Sequence, residues 1–369
     1  MDSLGIGIIG GGYMGKAHAV AMAAVGAVFN TRLRPRLEMV AASSDASAER
    51  YRAAFGFARA TGDWRTLVAD PAIDAVIIAA PQATHRAIAE AAAAAGKHIL
   101  CEKPLAGTLA DAEAMGAAAH AAGIVHMTGF NYSRTPATQQ ARRMIADGRL
   151  GDLTYLRIEH TEDFLADPDA PPDNWRINGR QNGTMYDLAA HPINAALALG
   201  GPIDALIADI ATVHPTRPGP DGPVTVSNDD QAQFMCRFAS GARGHVLASR
   251  TATGRKMGYA YDIYGTKGAV RFDQEDQNAL WYYDMTDPPE ICGFRKILTG
   301  PAHPDYLQFC QGPGHGTGYQ DQIIIEARDF LEAIADGAAR WPSFDDGIAV
   351  ARITDAAFQS HESGAWVSV

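Results

Sequence analysis

The sequence predicts an α/β protein in two domains: an N-terminal doubly wound parallel Rossmann sheet, then an α+β domain with a large, open, mainly antiparallel sheet. Three observations predict it. The chain opens on an apolar strand that runs into Gly10-Gly11-Gly12-Tyr13-Met14-Gly15. Short apolar strands then alternate with helical stretches to about residue 128, and beyond that point the rhythm changes to longer alternating runs. A length of 369 residues calls for about two cores, and 47% hydrophobic residues suffice to fill them. The division is placed between residues 1–128 and 129–369.

Taken in order, Ile6–Gly10 reads as a buried strand and an alanine-rich helix starts at Met14. Between them Gly10, Gly12 and Gly15 satisfy G-x-G-x-x-G. Gly10 permits the tight turn, Gly12 lets backbone approach a pyrophosphate, and Gly15 lets the helix sit close on the strand. The helix N-terminus then faces an anion. Gly26–Arg36, with Asn30, Pro35 and three arginines, reads as a loop insertion that delays the second strand, Glu38–Ser44. A helix from Ser47, a strand Ala75–Ala80, a helix capped by Thr84 and ended by Gly96, a strand His98–Cys101, a helix opened by Thr108 and a strand Ile124–Thr128 complete the domain.

The second domain is expected to hold strands Leu153–His160, Ala205–Val213, Asp230–Phe238, Gly244–Thr251, Tyr259–Tyr264 and Ala269–Phe272. Ala239–Arg243 reads as a hairpin turn, and helices Leu188–Leu199 and Gln322–Ala335 back the sheet. Such a sheet leaves one face for a partner subunit, so an oligomer is expected. Pro215–Pro223 and Gly300–Gly318 are long loops of the kind that carry function.

Composition narrows the partners. The 31 Lys and Arg against 42 Asp and Glu give a formal charge of −11 with no basic run, which argues against nucleic acid and anionic membrane and for a small, neutral substrate. Cys101, Cys236, Cys292 and Cys310 form no C-x-x-C and read as reduced thiols of a cytoplasmic protein. No apolar run reaches the ~18 residues of a membrane span, and the first apolar stretch leads straight into the glycine turn instead of a signal-peptide cleavage site.

Two further groups carry chemistry. Cys101-Glu102-Lys103-Pro104 fixes a turn at the carboxyl end of a parallel strand, the edge where open α/β sheets bind ligands. Lys103 alone reads equally as a solvated strand-end lysine. Asp187 and His191, four residues apart on a predicted helix, share one face. Removing a hydroxyl proton near neutral pH is histidine's usual task. Such a pair is also a common surface pair or half of a metal site, but no third ligand has suitable spacing, and no metal is predicted.

With these residues on the page, the chain resembles the glucose-fructose oxidoreductase / inositol dehydrogenase / MocA family over essentially its full length. The matching pieces are the glycine turn, Ala80-Pro81-Gln82-Ala83-Thr84-His85, Cys101-Glu102-Lys103-Pro104-Leu105 and Gly183-Thr184-Met185-Tyr186-Asp187-Leu188-Ala189-Ala190-His191. Supporting fragments are Gly129–Tyr132, Asn174–Arg176, Gly300–Pro304 and Gly316–Tyr319. Within the family the pattern is most similar to sugar and cyclitol dehydrogenases, of inositol, L-glucose or levoglucosan type. The resemblance implies oxidation of a secondary hydroxyl to a ketone, with His191 as general acid/base, Asp187 binding a substrate hydroxyl and Lys103 holding the reacting oxygen. It further implies cofactor contacts from Gly10, Gly12, Tyr13, Met14, Ser44, Asp45, Ala80, Pro81, Gln82, His85, Glu102 and Lys103. Polyol contacts are implied for Asn131, Arg176 and His315, and a homotetramer is the family expectation. Trp175 lines the pocket or packs in the core, and His303 shapes a turn.

The end of the second strand bears on the cofactor. The family's ribose-binding aspartate aligns most nearly with Ser44, and Asp45 follows one place later. No arginine adjoins it, so NAD is favoured over NADP, with helix capping as the other use of Asp45. An NAD-dependent glycosidase, a keto-sugar reductase and a non-catalytic sugar-sensing regulator are the competing functions. Lys103, Asp187 and His191 together argue against the last.

Overall fold

The computed structural model describes residues 2–170 and 174–369. The chain divides into two compact units, 1–134 with 317–351, and 135–316 with 352–369. The contiguous division expected at residue 128 therefore differs in one respect: a late segment returns to the first unit.

The first unit is built on six parallel strands, β1 (Asp2–Ile9), β2 (Leu33–Ala41), β3 (Arg59–Thr61), β4 (Ala75–Ile78), β5 (His98–Glu102) and β6 (His126–Gly129). They lie in the order β3-β2-β1-β4-β5-β6, the doubly wound nucleotide-binding arrangement. Helices α1 (Tyr13–Phe29), α2 (Asp45–Phe55), α3 (Trp64–Ala69), α4 (His85–Ala94) and α5 (Leu109–Ala122) connect them. One core holds Ile9, Ile78, Ile88, Ile99 and Met115, and Phe344 of the returning segment is wholly buried in it.

Gly26–Arg36 is not a loop insertion. Helix α1 continues to Phe29, Asn30 ends it in the left-handed region (φ 49°), and β2 starts at Leu33. The arginines that suggested a loop are paired side chains: Arg34 donates to Asn30 Oδ1 at 2.7 Å and Arg36 to Glu38 at 2.6 Å. Pro35 is tolerated because β3 pairs only with Met39–Ala41, leaving that stretch of β2 without a neighbour on one edge. Two capping expectations divide. Thr108 accepts from the amide of Asp111 at 3.1 Å and caps α5, whereas the Thr84 hydroxyl donates to Pro81 O at 2.8 Å and caps nothing.

The helix Tyr319–Asp336 also differs from expectation. It packs on α1 in the first unit instead of backing the antiparallel sheet. Ala17 and Ala21 on α1 let it approach closely, and Gln320 Nε2 donates to the Ala17 carbonyl at 2.9 Å.

In the second unit α6 (Pro136–Ala146) precedes β7 (Leu153–Thr161), and α7 (Thr184–Asp187) and α8 (Ala190–Gly200) lead to β8 (Ile203–Ala211). A small pair, β9 (Thr216–Arg217) and β10 (Val224–Thr225), begins inside the predicted Pro215–Pro223 loop and ends just beyond it. Then come β11 (Gln231–Phe238), β12 (Arg243–Ser249), β13 (Gly258–Gly265), β14 (Gly268–Asp273), β15 (Ala279–Asp284), β16 (Arg295–Leu298) and β17 (Val367–Ser368). Nine strands form one sheet, β16-β15-β14-β13-β7-β12-β11-β8-β17, antiparallel throughout except for β7 beside β12. Ala232, Phe234, Cys236 and Phe238 alternate inward along β11, as period two demands, and α8 packs on β7 and β12. The hairpin at Ala239–Arg243 is present, with Gly241 at φ 91°.

Gly10 lies at φ 107°, and a Cβ there would stand 2.2 Å from Ala79 O. Gly10→Ala should therefore lower stability by about 2–4 kcal/mol, read by thermal melts.

Candidate active site

The first unit contributes the glycine turn and the strand end that follows β5. A Cβ on Gly15 would fall 1.9 Å from Gly10 O, so the helix approach inferred for this glycine is real. A Cβ on Gly12 would meet nothing within 4 Å, and no acidic side chain occupies the first turn of α1. Open space against uncapped helix N–H groups fits a pyrophosphate. Tyr13 is exposed beside it, its ring 6.0 Å from that of Tyr319, and the Tyr319 hydroxyl meets Met14 Sδ at 3.4 Å.

At the end of β2, Ser44 is the N-cap of α2 and accepts from Ser47 N at 3.3 Å. Capping is thus the work of Ser44, not Asp45. Asp45 is exposed and accepts from Gly62 N at 2.6 Å, which holds an anionic group at this edge.

Ala80 and Pro81 lead into a short turn, Gln82–Thr84, and His85 braces it from behind. His85 is buried, its Nε2 2.9 Å from Ala80 O and its Nδ1 3.1 Å from Leu105 O. Burial holds it in the neutral form, below its ordinary value. Its ring sits between the two loops, and the single N–H of the neutral imidazole donates to one of these carbonyls. Glu102 is also buried: Oε1 lies 2.7 Å from His18 Nε2, and Oε2 accepts from the amide of Lys103 at 3.3 Å. Lys103, half-buried, follows it. Asn131 is buried in this unit, with one Nδ2 hydrogen donated to Gln322 Oε1 at 3.1 Å, which orients the amide.

The second unit holds Asp187 and His191 on a helix that is interrupted, not continuous. Ala189 N bonds five residues back to Thr184 O at 2.9 Å, and His191 N bonds three back to Leu188 O at 3.2 Å. Pro192 explains the break: it has no N–H for Leu188 O, so the chain restarts as α8 with proline in its first turn. Such irregular turns recur at functional sites.

Two residues that sequence reasoning missed fix this segment. Asp229 caps α7, accepting from Met185 N at 2.7 Å while its carbonyl accepts from Thr184 N at 2.9 Å. A Cβ on Gly183 would lie 1.9 Å from Asp229 Oδ1, so only glycine fits beneath the cap. Arg250, wholly buried at the end of β12, donates to Asp187 Oδ2 at 2.7 Å and to Arg176 O at 3.2 Å. Arg176 adds a second cation 3.8 Å from the same oxygen and lies over the rings of Trp175 and Phe164. Trp175 is 51% exposed, so it is not a core residue. His191 is buried, its ring 5.5 Å from that of His160, whose Nε2 lies 2.9 Å from Glu162 Oε1.

His315 is exposed on a tight loop between Gly314 (φ 83°) and Gly316 (φ 82°). Buried Tyr306 locks that loop, donating to Gly312 O at 2.9 Å and accepting from Gly316 N at 3.0 Å. His303 does shape its turn, Nδ1 accepting from Gly300 N at 3.0 Å. A cavity of about 400 Å³ on the outer face of the sheet, floored by ion-paired Arg157, Asp262 and Arg271, includes neither Asp187 nor His191. Among the described residues no group of three or more His, Cys, Asp and Glu could hold a metal ion.

Comparison with known proteins places this geometry. Residues 4–130 match the oxidoreductase family with NAD-binding Rossmann fold, and residues 138–271 match the GFO/IDH/MocA C-terminal domain. The chain belongs to the GFO/IDH/MocA oxidoreductase family. It is 41% identical to a levoglucosan dehydrogenase of Pseudarthrobacter phenanthrenivorans, over 100% of this chain and 99% of the relative. It is 30% identical to an inositol 2-dehydrogenase of Rhizobium meliloti, over 96% of each. A solved levoglucosan dehydrogenase in complex with NADH and levoglucosan superposes with a TM-score of 0.96 at 40% identity, covering 100% of both chains. The chain is thus an oxidoreductase whose first unit is an NAD-binding Rossmann domain. Among the described residues no helix is long and apolar enough to cross a membrane.

Two outcomes test the site's construction. Burial pushes Asp229 up to about 6, against the pull of the Met185 amide. Its folded pKa exceeds its unfolded value, so the stability it contributes is complete below about pH 4 and is lost as pH rises through about 6. Asp229→Asn should flatten that part of the stability curve, measured by urea unfolding from pH 4 to 7. Arg250→Met should cost about 2 kcal/mol and lower kcat more than tenfold by releasing Asp187, checked by thermal melts and steady-state rates.

Proposed function

We propose that this enzyme oxidises one secondary hydroxyl of a sugar or cyclitol, of the levoglucosan or inositol kind, to the ketone. The observation that carries the reading is the Asp187–Arg250 pair one turn from buried His191, in a chain alike over its whole length to a levoglucosan dehydrogenase. When bound, NAD supplies the hydride acceptor for such a reaction. His191 takes the hydroxyl proton, and its near-complete burial removes competing water from the ring. Asp187, ion-paired with Arg250 and Arg176, accepts a hydrogen bond from a substrate hydroxyl and so orients the sugar. Lys103 donates to the reacting oxygen and stabilises the alkoxide character that develops there. Arg176 and His315 supply further polyol donors, and Trp175 offers an apolar wall.

Asp45 supports NAD over NADP. Its exposed carboxylate, aligned by Gly62, suits an adenosine 2′-hydroxyl and repels a 2′-phosphate. A cytoplasmic homotetramer completes the reading. All four cysteines are free, and Tyr155, Met235 and Trp281 lie exposed on the outward side of the nine-stranded sheet, a face suited to a partner subunit.

Absorbance at 340 nm should report net NADH formation from NAD with levoglucosan, an inositol or L-glucose, and weaker NADPH formation from NADP. Consumption of an aryl glycoside without net NADH would instead identify the glycosidase chemistry. His191→Ala should retain NADH binding and lose kcat by ~10²-fold or more; normal turnover would remove His191 from its role.

A further inference from the structure

Behind the E-K-P strand end lies a cluster of buried ionisable groups that the reaction above does not use. His18 projects from α1, three residues past Gly15, and is completely buried with Nε2 on Glu102 Oε1 at 2.7 Å. Glu326, on the helix Tyr319–Asp336 that covers α1, is also completely buried. Neither of its oxygens, nor His18 Nδ1, meets a hydrogen-bond partner among the described residues. The charged groups that face Glu326 are His18 on α1, Glu102 on β5, Arg134 at the end of the Asn131–Arg134 turn, and Asp329 on its own helix. Arg134 and Asp329 pair with each other at 2.5 Å. This leaves one imidazole between two carboxyls.

We propose that Glu326, acting through His18 and Glu102, is a positioning residue of the nucleotide site: the trio fixes the Glu102–Lys103 strand end and sets the charge beneath the nicotinamide. The proposal rests on the reading above of an NAD-dependent dehydrogenase, with the cofactor contacts that the family resemblance implies for Glu102 and Lys103.

The electrostatics follow from the geometry. A carboxyl buried without a partner resists ionisation, and burial raises Glu326 to about 7 against the pull of His18. Burial alone would lower His18, but its hydrogen bond to Glu102 and the field of both acids outweigh it, and the net direction is upward. Below neutrality Glu326 is therefore a neutral acid beside a His18 ring whose charged form is favoured. As pH rises through about 7, Glu326 ionises and the cluster gains one negative charge. The nicotinamide of NAD carries a positive charge that NADH lacks. The added anion favours NAD, and the ratio Kd(NAD)/Kd(NADH) falls.

Fluorescence titration of the full-length chain with NADH, and competition by NAD, between pH 5.5 and 8.5 tests this without any sugar. The wild-type ratio should fall about three- to tenfold across neutrality. In Glu326→Gln, which keeps the shape of the neutral acid, the fall centred near pH 7 should be at least halved. In His18→Gln, which removes the cation, the fall should move to higher pH. A purely structural role would shift melting temperatures but leave the ratio curves superimposable on wild type, and that result would overturn the proposal. Failure of the wild-type chain to bind NADH would overturn the nucleotide-site reading and the proposal with it.

Discussion

Helix α1 starts where it does because nothing separates its first turn from the carbonyl of Gly10. With a Cβ at Gly15 only 1.9 Å from that oxygen, any side chain would push the helix away from β1. Gly10 in turn adopts a positive φ and presses against Ala79, so the turn is anchored to β4 as well as to α1. Three consequences follow from this one approach. The helix N-terminus opens onto space that a phosphate fits, His18 is delivered one turn later to Glu102 on β5, and the outer side of α1 becomes a surface of small residues that a second helix covers.

The second unit solves a different problem, how to hold an aspartate and a histidine rigid on an imperfect helix. Pro192 removes one hydrogen bond and Ala189 takes a longer one, so the segment cannot rely on its own ladder. Its rigidity comes from outside. Asp229 caps the start, Arg250 anchors Asp187 in the middle, and His160 packs beside His191 at the far end. A buried arginine costs desolvation that only a well-placed anion offsets, so the Asp187–Arg250 pair contributes less to net stability than to geometry. The charge of Asp187 and the burial of Arg250 depend on each other.

Much of this was legible in the sequence because it rests on local rules. The G-x-G-x-x-G spacing located the turn and period-two alternation located β11 to β14, whereas the four-residue spacing of Asp187 and His191 gave no sign that the helix is interrupted between them. Contributions from distant chain were not legible. Arg250 is 63 residues from Asp187, and Glu102 is 84 from His18. No local pattern distinguishes Arg250 or His18 from ordinary strand-end or helix polars. Gly26–Arg36 misled for a related reason: its arginines and proline look like a solvated loop until their partners and the free edge of β2 are known. The internal partners of Asn131 and His85, Gln322 and the carbonyls of Ala80 and Leu105, were equally beyond local reading.

The helix Tyr319–Asp336 shows the same limit at the scale of a domain. Its periodicity announces a buried face but does not say what buries it, and a sequence reading assigns it to the sheet nearest in the chain. Structure assigns it to α1, and Phe344 further on completes the core of the parallel sheet. A nucleotide unit cut at residue 128 would thus lose both the cover of α1 and part of its apolar centre. The carboxyl of Glu326 explains why that cover is more than packing. An acid placed where an alanine or leucine would fill the space at lower electrostatic cost is retained against stability, and its neighbours His18 and Glu102 lead to the strand end that carries Lys103.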